Sequence, residues 1–397
     1  MKNLFLLYLL SNLPIFLHAD WLSFRGTHGN GSAETNSISQ FNPQSKYSWK
    51  TKLPGRGLSS PILVNDSVFI TASSGPKQET LHILCFSEKK GDLLWERRFK
   101  ATGRTICHEK TCVAAPTIVS DGEVIVAQFS SNDIFCLDLS GDLIWLRGLT
   151  HDYPNAANGL GMSSSPVISN GVLVAQVEND ADSFTVGIDL KNGLTLWKKI
   201  RPRGANWTSP TLLGKGKLQK VSLQSMKGIS VLGPKTGNEF WNYEDGASTI
   251  PSSTPIGQIL LVPSKGLTAL KVRPDQRSHT QLWRDNKLGP GTGSPSISND
   301  RFFVINKANV LTCAKIETGE ILWRMRVKGP ASGSPVTSSS HLYFFNEDGL
   351  GQIIKIDGNE GKLVSSLDLE ETILCTPALS EKALFVRSDN HLWKLAN

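Results

Sequence analysis

Residue types suited to recognition or catalysis cluster in a few uneven stretches of this 397-residue chain. The first stretch holds Arg104, Cys107, His108, Glu109 and Cys112, and the second reads His151-Asp152-Tyr153-Pro154-Asn155-Ala156-Ala157-Asn158. The third holds Arg201, Arg203, Asn206 and Trp207, with Glu178-Asn179-Asp180-Ala181-Asp182 shortly before it. Cationic groups supply charge, amides bind hydroxyls and flat rings stack, so this set suits an anionic or carbohydrate ligand. The plainer alternative is a group of solvated loops in which Trp207 packs locally.

Other chemistries are weaker. The oxygens of Glu178, Asn179, Asp180 and Asp182 are of the kind Ca²⁺ takes, but the segment lacks the spacing and glycine of a calcium loop, and no metal site is expected. Cys107 and Cys112 flank a short polar loop and, in an oxidising compartment, could form a disulfide. Zinc would find no fourth ligand beside them and His108. Cys85, Cys136 and Cys313 sit in apolar alternating runs and read as core. His82, His341 and His391 fall in strand patterns and read as packing or surface residues, while His279 lies in a polar loop without an evident partner. No nucleophile elbow, phosphate-binding glycine loop or metal-binding His pair occurs, which favours binding over catalysis.

The elements that must position these loops are repeats. A small residue followed by proline opens a β-rich run at Ser60-Pro61, Ala115-Pro116, Ser165-Pro166, Ser209-Pro210, Thr254-Pro255, Ser294-Pro295, Ser334-Pro335 and Thr376-Pro377. The prolines are spaced by 55, 50, 44, 45, 40, 40 and 42 residues, the length of a four-stranded propeller blade. The third repeat shows the pattern: a strand from Val167, a turn at Asn170-Gly171, strands at Val172–Val177 and Thr185–Leu190, a turn at Asn192-Gly193, and a strand ending at Trp197. A Trp recurs in the last strand, as Trp95, Trp145, Trp197, Trp241, Trp283 and Trp323, with Ser365 in its place in the seventh repeat. One large flat side chain per blade suits packing between sheets, and these Trp residues read as structural.

The last repeat ends after three strands, whereas an orphan segment, Tyr47 to Leu53, precedes the first and carries Trp49. Pairing the two completes the eighth blade and removes a sheet edge. The expected organisation is therefore a signal peptide at 1–19, an N-terminal extension at 20–46, and one all-β, eight-bladed propeller domain at 47–397. In such a ring, the loops leaving each outer strand share a face with those joining second and third strands, so the uneven stretches gather on one face of blades one to four.

Met1 to Ala19 has one early charge and interrupted apolar runs, too broken for the roughly 20-residue span of a membrane helix. It reads as a secretory signal, and no Cys follows it to carry a lipid. The mature chain is thus expected in the periplasm or outside the cell, as a monomer without a transmembrane segment. The net charge of +7 is mild and its Lys and Arg are scattered, which argues against nucleic acid as a partner.

With these repeats the chain resembles the PQQ-repeat β-propellers, whose blades end in Gly-x-x-x-Trp, as in Gly91 to Trp95 and Gly319 to Trp323. Its opening, Trp21-Leu22-Ser23-Phe24-Arg25-Gly26 through Gly31, is similar to the start of many secreted bacterial members. The family includes PQQ-dependent alcohol and sugar dehydrogenases and also non-catalytic propellers such as the BamB type, which this chain is closer to in size. The dehydrogenases imply PQQ with Ca²⁺ held by Glu, Asn and Asp, an Asp base, an Arg or Lys, and often adjacent cysteines, a set this chain does not supply. The resemblance points first to a non-catalytic binding or scaffold module for a protein or polysaccharide partner on the loop face of blades one to four, with no cofactor expected. A quinone-dependent oxidoreductase is the alternative, and a glycan-active enzyme a third.

Overall fold

Apolar and β-branched runs separated by glycine and asparagine turns favour short antiparallel strands. A computed structural model describes residues 21–33, 38–42, 44–156, 159–273, 275 and 277–396. The segment read as a signal lies outside the described residues, as does Asn158. Eight four-stranded antiparallel sheets form a β-propeller. Seven take their strands in chain order, as in blade three with Val167–Ser169, Val172–Val177, Phe184–Asp189 and Thr195–Ile200. Between its first two strands, Asn170 and Gly171 both have positive φ, at 52° and 75°, as a two-residue hairpin turn requires.

The eighth blade joins both ends of the chain. Trp49–Lys52 pairs antiparallel with His391–Ala396, with Trp49 opposite Lys394 and Lys52 opposite His391. The expected closure is therefore present.

Two devices join neighbouring blades. The indole N–H groups of Trp49, Trp95, Trp145, Trp197 and Trp283 donate to Glu88, Leu139, Leu190, Pro234 and Ile316 carbonyls of the next blade at 2.8–3.1 Å. Each ring lies against a glycine of that blade's last turn. A Cβ on Gly91, Gly141, Gly193, Gly237 or Gly319 would come within 2.6–2.8 Å of it. Thus the glycine of Gly-x-x-x-Trp receives the previous blade's Trp, and the Trp sits on the next blade's glycine.

The exceptions follow the same logic. Trp323 lies on Gly361, whereas blade five has no glycine in its last turn, and His279 packs on Trp241 with ring centres 4.5 Å apart. His279, read from sequence as a loop residue without a partner, opens the strand His279–Asp285, and burial holds its imidazole below the usual pKa. Ser365 replaces Trp because blade eight, whose last strand comes from the N-terminus, has no final turn to receive one. Phe41 fills that joint, donating its backbone N–H to Ser365 Oγ and packing against Phe345.

The second device is a ring of hydroxyls around the axis. The N–H groups of Ser60, Thr117, Ser165, Ser209, Ser252, Ser294 and Ser334 each donate to the hydroxyl at the matching position of the next blade, ending at Thr376, at 2.9–3.0 Å. Thr117 and Ser252 hold this position in blades two and five, not the Ala115 and Thr254 of the small-residue-plus-proline pattern. What the joint requires is a hydroxyl acceptor two residues before the first strand, and proline accompanies it in only six blades.

The N-terminal strap crosses the ring. Trp21 bridges Leu63, Leu22 accepts from Ser120 N–H, and Gly31 and Ala33 bond Thr337. Between them Arg25, in the left-handed region at φ 63°, is fully buried and donates to Ser253 O, Thr254 Oγ1 and Pro295 O. Among the described residues no carboxylate pairs with it, and burial pushes its pKa down to about 9.

Candidate binding site on the loop face

Strand alternation sends the loops leaving each blade's outer strand to the same face as the loops between second and third strands. At the centre of this face lies a cavity of about 440 Å³, closed below by Phe24 of the strap. Two tiers line it. The lower is the hydroxyl ring, and the upper consists of the residues two positions earlier: Leu58, Ala115, Ser163, Trp207, Ile250, Thr292, Ser332 and Leu374. The lower tier is fixed by the blade joints. The upper tier carries cross-blade bonds only at some positions, as from Trp207 N–H to Thr249 O and from Thr292 Oγ1 to Ala331 O, and its composition divides: apolar on blades one, two, four, five and eight, hydroxylic on three, six and seven.

Gly333, Cys375, His108, Lys110, Thr111 and Leu160 complete the lining. Among the described residues, no carboxylate or amide lines it. Lys110 spans to Glu347 of blade seven at 3.0 Å, and Ser332 Oγ donates to the same carboxylate at 2.7 Å. Trp207 is anchored by its indole N–H on Gly161 O at 2.9 Å. Ile106, Leu160 and Ile250, 44–55% exposed, leave apolar surface on this face.

The residues singled out in the sequence separate into distinct places. His108 and Trp207 meet at the cavity. Arg104 and His151 line a separate shallow groove with Thr102, Gly103, Thr150 and Pro154. Asp152 pairs with Arg147. Tyr153 packs on Phe184, with Lys198 Nζ 3.6 Å from its ring centre. Asn155, Asp180 and Arg203 are exposed.

Glu178, Asn179, Arg201 and Asn206 are not available to a ligand, a correction to the sequence reading. Arg201 Nε donates to Glu178 Oε1 at 2.7 Å, and Asn206 Nδ2 donates to Glu178 Oε2 and Gln224 O at 2.8 and 2.7 Å. Their side chains are buried, and burial raises the Glu178 pKa despite the adjacent Arg201. Asn179 folds the loop by accepting from Ala181 N–H and donating to Asp182 O. These polar groups hold blade three to blade four.

Cys107 and Cys112 are likewise not joined; both are free thiols. Cys107 Sγ faces Ser130 Oγ at 3.8 Å, while Cys112 is fully buried in apolar packing that pushes its pKa to about 12. Sequence reasoning missed Lys110, Leu160 and the upper tier other than Trp207 as lining. The signal was available, because every upper-tier residue precedes its ring hydroxyl by two positions.

The architecture matches known propellers. BamB from Moraxella catarrhalis superposes with a TM-score of 0.66 at 16% identity, covering 88% of this chain and 97% of that one. A europium-containing methanol dehydrogenase superposes with a TM-score of 0.73 at 10% identity, covering 95% and 98%. At these identities the likeness is one of fold alone. The family model described as "Outer membrane protein assembly factor BamB" matches residues 33–243 and 268–363, and the chain belongs to that family. Among curated proteins, BamB of Moranella endobia (strain PCIT) is 28% identical over 159 residues, 39% of this chain and 34% of that protein. The aligned part thus spans about a third of that relative's length. Among the described residues, no helix is long and apolar enough to cross a membrane.

Proposed function

We propose that this protein is an extracytoplasmic binding propeller that seats a protein partner on its loop face, delivered to that compartment by residues 1–19 and held there without a lipid on a cysteine. The observation that carries this reading is the two-tier cavity. Its lower tier is committed to the fold, but its upper tier varies blade by blade, with Leu58, Trp207, Ile250 and Leu374 offering apolar contact beside the hydroxyls of Thr292 and Ser332. A blind, partly apolar cavity rimmed by exposed Leu160 and Ile250 suits an inserted side chain or loop. The role for which the family is named, outer-membrane protein assembly, accords with a scaffold of this kind.

The lining does not fit the calcium–quinone centre of the dehydrogenase relatives. Ca²⁺ takes six to eight oxygen ligands, chiefly carboxylates and carbonyls. Among the described residues, the cavity lining includes no carboxylate, and Glu178 and Asn206 are spent on Arg201 and Gln224. Titration of the purified protein with PQQ and Ca²⁺, followed by absorbance and by dye-linked alcohol oxidation, tests this reading. The expected result is no saturable binding and no turnover. Saturable binding with turnover would replace the scaffold by an oxidoreductase.

A further inference from the structure

Blade one carries a cluster that neither the cavity nor the blade joints require. Its second, third and fourth strands, Ser67–Ser74, Thr80–Ser87 and Leu93–Lys100, pair with Ala72 opposite His82 and Leu84 opposite Glu96. Ser74 therefore lies diagonally across from His82 on one side, and Glu96 diagonally across on the other. Diagonal neighbours on one face of a sheet are within reach of long side chains. Ser74 Oγ is 2.7 Å from His82 Nε2, and His82 Nδ1 is 2.7 Å from Glu96 Oε1.

The electrostatics set the direction of these bonds. Glu96 Oε2 accepts from Arg98 Nη2 at 2.6 Å, and this contact, followed by that to His82, holds the Glu96 carboxyl below the usual range. An ionised carboxylate accepts only, so the proton between it and the ring belongs to Nδ1. In the neutral imidazole, Nε2 then presents its lone pair to the Ser74 hydroxyl. His82 is 4% exposed and the Glu96 side chain 15%, whereas Ser74 is half-buried at the end of its strand, next to exposed Gly75. A shielded base, a carboxylate behind it and a hydroxyl open to solvent are the arrangement of a nucleophile with its general base.

We propose that Ser74 and His82, positioned by Glu96, accept acyl groups from esters, an activity separate from partner binding at the cavity. Ser74 Oγ attacks the ester carbonyl carbon while its proton passes to His82 Nε2. The ester C–O bond breaks, and the leaving oxygen takes that proton and departs as an alcohol. Water then attacks the acyl-serine, passing its proton through His82 to Ser74 Oγ, and a carboxylic acid leaves.

The test uses the full chain with a fluorophosphonate probe, peptide mapping by mass spectrometry, and p-nitrophenyl acetate as substrate. The wild-type protein is expected to be phosphonylated at Ser74 and to hydrolyse the ester, and Ser74→Ala to lose both. His82→Gln slows labelling by about a hundredfold or more, the scale of a lost general base. Glu96→Gln slows labelling at unchanged thermal midpoint, which a purely structural role would not do. Absence of Ser74 labelling in the folded wild-type protein overturns the proposal, as does an undiminished rate in folded His82→Gln. The wild-type and Ser74→Ala results decide the matter even if the His82 variant does not fold.

Discussion

At the joint between blades two and three, Trp145 lies on Gly193 and donates to Leu190 O at 2.8 Å. On the loop face between blades three and four, Arg201 and Asn206 each donate to Glu178 and reach across to Leu223 O and Gln224 O. The first joint recurs around the ring with the same residue types, while the second belongs to one pair of blades. Both are buried and both hold neighbouring sheets. The difference teaches that polar residues in an irregular loop serve the fold as readily as a repeated tryptophan, and only burial distinguishes them from residues open to a ligand.

Substitutions can sharpen this contrast, with the midpoint of urea unfolding as the measurement. Trp145→Ala removes a buried aromatic and the hydrogen bond to Leu190, and is expected to cost about 4 kcal/mol. Glu178→Leu leaves Arg201 buried without its anion, at about 3 kcal/mol. If Glu178 were instead a ligand residue, its replacement would leave stability unchanged. Gly141→Ala forces a Cβ to 2.7 Å from Trp95 at φ +88°, and is expected to cost about 2 kcal/mol. Arg203→Ala, exposed on the same loop as Arg201, is expected to change stability by less than about 0.5 kcal/mol.

The sequence revealed what is periodic. Blade count, closure through Trp49 and the glycine–tryptophan pattern depend on features repeated along the chain, so one residue's noise is averaged over eight copies. Register suffered where proline stood in for the property that matters: Ala115 and Thr254 precede prolines, but Thr117 and Ser252 carry the hydroxyls. The loop face was less legible, because burial of Glu178 and Asn206 arises from a neighbouring blade contributing Gln224 O. The line Ser74, His82 and Glu96 left no trace in spacing, since three strands bring it together diagonally. Likewise, four residues separate Cys107 from Cys112, but the fold turns one toward Ser130 and the other into the core.

The central claim is that the cavity mouth is where a partner sits. A photo-crosslinking amino acid placed at Ile250, and separately at Leu94 on the exposed outer strand of blade one, tests it most directly when the full chain is expressed in a bacterial envelope. The account predicts a discrete protein adduct from Ile250 that disappears with Trp207→Ala, and none from Leu94. Adducts from Leu94 with none from Ile250 would contradict it and move the interaction surface to the rim of the propeller.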